Sequence, residues 1–278
     1  MERPLPAGMT IVFPTLPLEQ NLHLQARLGF TGVEIWKPQL GPRIGPRMLG
    51  EVARVARDLG VPVTALNAIG EPYFDPFNGE EAYRRTLEGL KADISLCGHL
   101  GVDTLAVWEG RPRLDQPLAW HLDTLEHLFG QALTFGEAHG VCSILVEPHP
   151  FTLGYTLGGL PELCTRLGPQ RFGLILDICH LSVAYPTDYL VHLAALIPYV
   201  RHLHLSDSDL VTSELHYPPG QGLVDMEGCM HALRTGCFRG TTAWDLYSWP
   251  FPERAIAETR HTFLRLLDLA DLTGPGQA

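Results

Sequence analysis

Apolar, β-branched runs recur about every 35 residues along this 278-residue chain, and the longer segments between them carry helical period. Parallel strands need a crossover long enough to hold a helix, so the alternation predicts βα units, and eight such units close into a (β/α)8 TIM barrel. Strands are expected near 9–13, 32–36, 62–67, 102–108, 142–147, 172–177, 201–205 and 241–246, within one domain covering 1–278. Glycines stand at or just ahead of the start of several of them, at Gly8, Gly32, Gly60, Gly101, Gly140 and Gly240, where a helix must end and turn back into the sheet. Tyr83, Leu87, Leu90, Ile94 and Cys97 recur at steps of four and three, as do Ile256, Thr259, Phe263, Leu266 and Ala270, so each segment offers one apolar stripe to the outside of the barrel. Pro- and Gly-rich stretches at 38–46, 110–117 and 217–222 follow the second, fourth and seventh expected strands and read as loops of the active face.

In such a barrel the side chains at the carboxyl ends of the strands converge on one mouth. Glu147, Asp177, His204 and Asp245 hold that position on four consecutive expected strands. Three carboxylates and one imidazole form an oxygen-rich set suited to one divalent cation, Mn2+ before Mg2+, Co2+ or Zn2+, and leave two sites of an octahedral shell for a hydroxy-carbonyl substrate. Such a cation stabilises the enediolate that forms when a carboxylate such as Glu147 removes the proton beside a carbonyl. Return of the proton to the opposite face is epimerisation, return to the neighbouring carbon is isomerisation, and loss of a β-hydroxyl is dehydration.

The segments Val-Glu147-Pro-His149, Leu-Asp177-Ile-Cys-His180, His-Leu-His204-Leu-Ser-Asp207 and His216-Tyr-Pro-Pro-Gly220-Gln-Gly222 resemble motifs of the xylose-isomerase-like barrel superfamily, the sugar phosphate isomerase/epimerase group. That resemblance implies a metal-dependent sugar isomerase or epimerase. It makes Glu147, Asp177 and His204 metal ligands, sets His180 and His216 where the group contacts substrate or a second metal, and has Glu147 and the strand-eight acid exchange the substrate proton. That acid is Asp245 here, where the group usually has Glu, and one methylene fewer withdraws the carboxylate by about 1.5 Å. The same group contains inosose dehydratases, which make a lyase the next reading, and apurinic endonucleases. A barrel that binds sugar without turnover is the reading from outside enzymology.

Around these four, Trp36 and Trp108 offer flat walls for a sugar ring, Asn67 a partner for a hydroxyl, and His149 a second imidazole close to Glu147. Arg43, Arg47, Arg111 and Arg113 fall in the loops after the second and fourth strands and read as solvated, with an anionic substrate group as the functional alternative. Lys37 is the one reasonable Schiff-base candidate of two lysines, and nothing near it in sequence signals a depressed pKa. The expected partner is a small sugar or polyol, with a homo-oligomer compatible with the pattern. A net charge of −11 opposes nucleic acid, and the sequence shows neither a signal peptide nor an apolar run of membrane length, so a cytoplasmic location is expected. Six scattered cysteines without a Cys-x-x-Cys pair suggest neither a zinc knuckle nor a redox motif.

Overall fold

Eight parallel strands close on themselves in sequence order in the computed structural model, which describes residues 3–42 and 45–272. They are β1 (Leu5–Met9), β2 (Phe30–Trp36), β3 (Val63–Asn67), β4 (Thr104–Val107), β5 (Ser143–Val146), β6 (Phe172–Asp177), β7 (Val200–Leu205) and β8 (Thr241–Trp244). The helices outside them are α1 (Leu18–Leu28), α2 (Pro46–Asp58), α3 (Glu80–Leu100), α4 (Leu118–Glu137), α5 (Leu153–Thr156), α6 (Leu160–Leu167), α7 (Ile178–Ala184), α8 (Tyr189–Leu196), α9 (Met226–Thr235) and α10 (Pro252–Leu269). The (β/α)8 barrel is therefore as expected, and among the described residues no helix is long and apolar enough to cross a membrane.

The first strand needs correction. It runs Leu5–Met9 rather than 9–13, and Thr10–Val12 form a single 3-10 turn at the mouth of the barrel. Pro4, Pro6 and Gly8 have poor strand preference, whereas Ile11-Val12-Phe13 looks like a strand on composition alone. Barrel closure overrides that preference, because Gly8 pairs with Val33 on one side and Trp244 on the other. A β-carbon on Gly8 would stand 2.1 Å from the Gln25 side-chain oxygen, so any larger residue here would displace the buried Gln25 side chain of α1.

The helical stripes pack as the period demands. Leu87, Leu90, Ile94 and Cys97 of α3 are buried with Tyr83 at the margin, and Ile256, Thr259, Phe263, Leu266 and Ala270 are all buried on α10 and just past its end. Phe263 stacks on Trp244 of β8 at a centroid distance of 4.0 Å, fastening the last helix to the last strand. Each such large side chain contributes about 1.5–3 kcal/mol by leaving water. Gly101 ends α3 with φ +71°, the left-handed geometry that frees the chain to enter β4.

β4 and β5 end one residue earlier than the sequence suggests and β8 two residues earlier, so Trp108, Glu147 and Asp245 each occupy the first position beyond a strand. The sheet still holds two of them. The Glu147 amide donates to Val107 O at 2.9 Å and the Asp245 amide to Leu205 O at 3.3 Å, so the ladder continues through both acids.

Candidate active site

Strand ends on β5, β6 and β7 bring Glu147, Asp177 and His204 together with one donor atom from each within 4.8 Å of the others. Glu147 Oε1 lies 2.5 Å from His204 Nδ1, and its Oε2 lies 3.0 Å from His149 Nε2. Asp177 caps α7, its Oδ1 accepting the His180 amide at 2.8 Å, while its buried Oδ2 has no hydrogen-bond partner. An unpartnered carboxylate oxygen inside a protein is costly, and beside a second carboxylate and an imidazole it is what a cation site requires. Two oxygens and one nitrogen of this kind fit a divalent ion of the Mn2+, Mg2+, Co2+ or Zn2+ type.

Asp245 stands apart from that trio. Its Oδ1 accepts the Tyr247 amide at 2.8 Å, and its Oδ2 lies 3.0 Å from His216 Nδ1, which is itself 3.8 Å from Asp177 Oδ2. The loop from Ser206 to Asp225 carries His216 and is tied down by Asp207, whose carboxylate accepts the amides of Ser208, Gly220, Gly222 and Val224. That explains the spacing of the glycines in the His216–Gly222 motif: a β-carbon at Gly222 would come within 2.3 Å of Asp207. The His180 ring packs against those of His149 and His216, with centroids 4.0 and 5.1 Å away.

Glu147 and His204 face a cavity of about 250 Å³ whose wall also includes Trp36, Asn67, His149, His180, His216 and Asp245, whereas the wholly buried Asp177 does not line it. Trp108 is not in that wall; its ring meets the edges of His149 and Phe151. Asn67 reaches the cavity with its amide already engaged, donating to Glu34 Oε1 at 2.5 Å and accepting the Ile69 amide at 3.0 Å. Lys37 is paired with Asp93 at 2.7 Å and Glu71 at 3.0 Å, and it is not among the residues that line the cavity. Arg47 pairs with exposed Glu51, Arg113 with Asp115, and Arg111 lies over the Phe151 ring at 4.8 Å; Arg43 is outside the described residues.

Burial opposes every charge here, and the neighbours decide the outcome. It would raise the Glu147 carboxyl, but His204 and His149 outweigh it and hold the group well below the usual range. Asp177 is pushed up to about 6 by burial, with His216 pulling the other way. Burial takes His180 well below the ordinary histidine value, reinforced by His149, whereas Asp245 and Asp177 overcome it at His216 and carry that ring well above.

Several residues of this region escape a reading of the strand ends. Met9, Ile11, Ile69, Gly70, Glu214 and Tyr247 complete the cavity wall. Glu109, just past β4, is fully buried, accepts from Thr152 Oγ at 2.6 Å and the Gly154 amide at 2.7 Å, and is pushed up to about 7 by burial. Glu34 and His202 lie inside the barrel below the cavity, almost wholly buried. An ionisable residue inside an apolar strand run marks both as unusual, though not which way they point.

The xylose isomerase-like TIM barrel family model matches residues 22–266. Fructoselysine 3-epimerase of Shigella flexneri is 23% identical over 240 residues, which cover 83% of this chain and 86% of that protein. The same enzyme of Escherichia coli O157:H7 is 23% identical over 227 residues, 78% of this chain and 81% of that one. Among solved structures, an L-ribulose 3-epimerase superposes with a TM-score of 0.80 at 17% identity, covering 97% of this chain and 96% of that one. The IOLI protein with a bound zinc atom superposes with a TM-score of 0.77 at 17% identity, covering 97% of this chain and 99% of its own.

Proposed function

The chain belongs to the xylose isomerase-like TIM barrel family, and on that premise we propose that it is a divalent-cation-dependent isomerase or epimerase moving a proton at the carbon beside a keto-sugar carbonyl. The observation that carries this reading is the convergence of donor atoms of Glu147, Asp177 and His204, the first and last of which line the cavity, with one Asp177 oxygen left without a hydrogen-bond partner. A divalent cation bound by these three would polarise the carbonyl and offset the negative charge that proton removal places on the substrate.

The chain's own residues supply the proton chemistry. Glu147, at the cavity wall and held ionised by its two histidines, is the base that takes the α-proton. Asp245 lies three strands further round the barrel, so the two acids approach a bound sugar from different sides. Because Asp245 Oδ2 faces His216, the proton exchanged from that wall belongs to the Asp245–His216 pair. His180, neutral through burial, can donate a hydrogen bond to a hydroxyl without adding charge, and Trp36 offers an apolar face to the ring. The name of the curated relatives, fructoselysine 3-epimerase, supports exchange at the carbon next to a ketose carbonyl.

The test is incubation with Mn2+ in D2O and a panel of ketoses, fructosamines, inososes and keto-glycosides, followed by NMR. Deuterium at the carbon beside the carbonyl, with a new epimer or isomer, is the expected outcome. Loss of water from an inosose would make the protein a lyase. Binding without exchange for every compound would leave a sugar-binding barrel and end the enzymatic reading.

A further inference from the structure

Beneath the cavity the barrel interior holds a second polar cluster that the proton chemistry does not use. Glu34 of β2 is 1% exposed, and its Oε1 accepts the Asn67 amide at 2.5 Å. Its Oε2 lies 3.3 Å from His204 Nε2 and 3.2 Å from His202 Nε2, and the other His202 nitrogen is 2.6 Å from Thr241 Oγ1. A carboxylate this deep in a protein persists only when its oxygens are partnered, and the facing amide and imidazoles supply that.

His204 is therefore gripped from two sides, Nδ1 on Glu147 and Nε2 on Glu34. An ionised carboxylate has no proton to give, so the nitrogen facing Glu34 must carry one. The same rule puts a hydrogen on Nδ1 opposite Glu147 until a cation binds; a cation taking the Nδ1 lone pair beside Glu147 and Asp177 would displace that hydrogen and leave the ring neutral with its hydrogen on Nε2. Glu34 accepts that hydrogen and, being anchored by Asn67 and His202, also sets the plane of the ring.

We infer that Glu34 is a positioning residue, which holds His204 in the tautomer and orientation that offer Nδ1 to a divalent cation. This rests on the reading of Glu147, Asp177 and His204 as a cation site. Carboxylates behind a metal-binding histidine typically affect affinity 10–100-fold. No other described carboxylate lies within hydrogen-bonding distance of His204 Nε2.

The test pairs the isosteric Glu34→Gln with Glu34→Ala in the full chain. Mn2+ affinity is measured by titration calorimetry, and the His204 tautomer by 15N-histidine NMR of the Zn2+-loaded protein, assigned with His204→Gln. Wild type is expected to bind one ion and show hydrogen on Nε2. Glu34→Gln, which keeps the shape but can also donate from its amide, should weaken Mn2+ binding about 10–100-fold and perturb the Nε2–H signal, with circular dichroism unchanged. A packing role alone would lower the melting temperature of Glu34→Ala but leave Glu34→Gln with wild-type affinity and tautomer, and that result overturns the inference. Binding of two ions, with one lost in His202→Ala, would also overturn it by making Glu34 a ligand of a second cation. Wild type that binds no divalent ion at all would remove the cation site itself, a failure distinct from the first two.

Discussion

The two walls of the cavity are built differently. On the side of β5, β6 and β7, Glu147, Asp177 and His204 are set by strand ends, and their donor atoms converge within 4.8 Å, with Glu147 and His204 at the wall and Asp177 buried. On the facing wall, Asp245 follows β8, but His216 comes from a loop, and the acid's oxygens turn to that histidine and to the Tyr247 amide. Rigid strands thus concentrate negative charge on one side, while a latched loop supplies a compensating imidazole on the other. A base must reach the substrate unaided, whereas a shorter acid can work through a partner.

Glu147→Gln should break this contrast most severely. It removes the base and one donor of the trio, so deuterium exchange into the substrate should fall by at least about 1,000-fold, within what a positioned general base contributes. An activity loss below about tenfold would place the base elsewhere. Asp245→Asn should cost about 10–100-fold in exchange rate while leaving Mn2+ affinity within a few-fold, because Asp245 lies outside the converging trio. Asp245→Glu lengthens the acid toward the substrate and should preserve or raise exchange; an inactive variant with intact Mn2+ binding would show that this wall serves something other than two-base proton transfer.

A smaller effect is expected from the latch. Asp207→Asn replaces two acceptor oxygens with one, so some of the four loop amides lose their partner at about 1–3 kcal/mol. The melting temperature should drop and KM rise more than kcat falls, as His216 becomes less well placed. The least effect belongs to Glu109 behind the strand wall. Its folded pKa, raised to about 7 from an ordinary 4.5, means that its contribution to stability is present below about 4.5 and is lost as pH rises through 7. Glu109→Gln should therefore flatten the fall in melting temperature between pH 5 and 8, and an unchanged pH profile would show that the buried carboxyl is not titrating there.

The strand ends were legible because the βα repeat places them at regular intervals and because a carboxylate or histidine closing an apolar run has few structural reasons to be there. β1 was misplaced because its Pro4-Leu5-Pro6-Ala7-Gly8 composition hides a strand that closure imposes. Glu34 and His202 were missed for another reason. Barrel strands are buried on both faces and show no alternation, so nothing in the pattern tells which residue points inward. Nor does spacing reveal that Asn67 is engaged by Glu34, or that Trp108 meets His149 edge-on outside the cavity wall.

Asp177 divides its oxygens between the start of α7 and the interior of the site. The His180 amide is thereby a built-in reporter: an event at the free oxygen must redistribute charge across the carboxylate and alter the bond on the other. Asparagine at this position would retain a helix-capping oxygen while losing the anion, and alanine would lose both. Comparing the two by amide chemical shift would separate the architectural duty of this side chain from its electrostatic one, without any substrate.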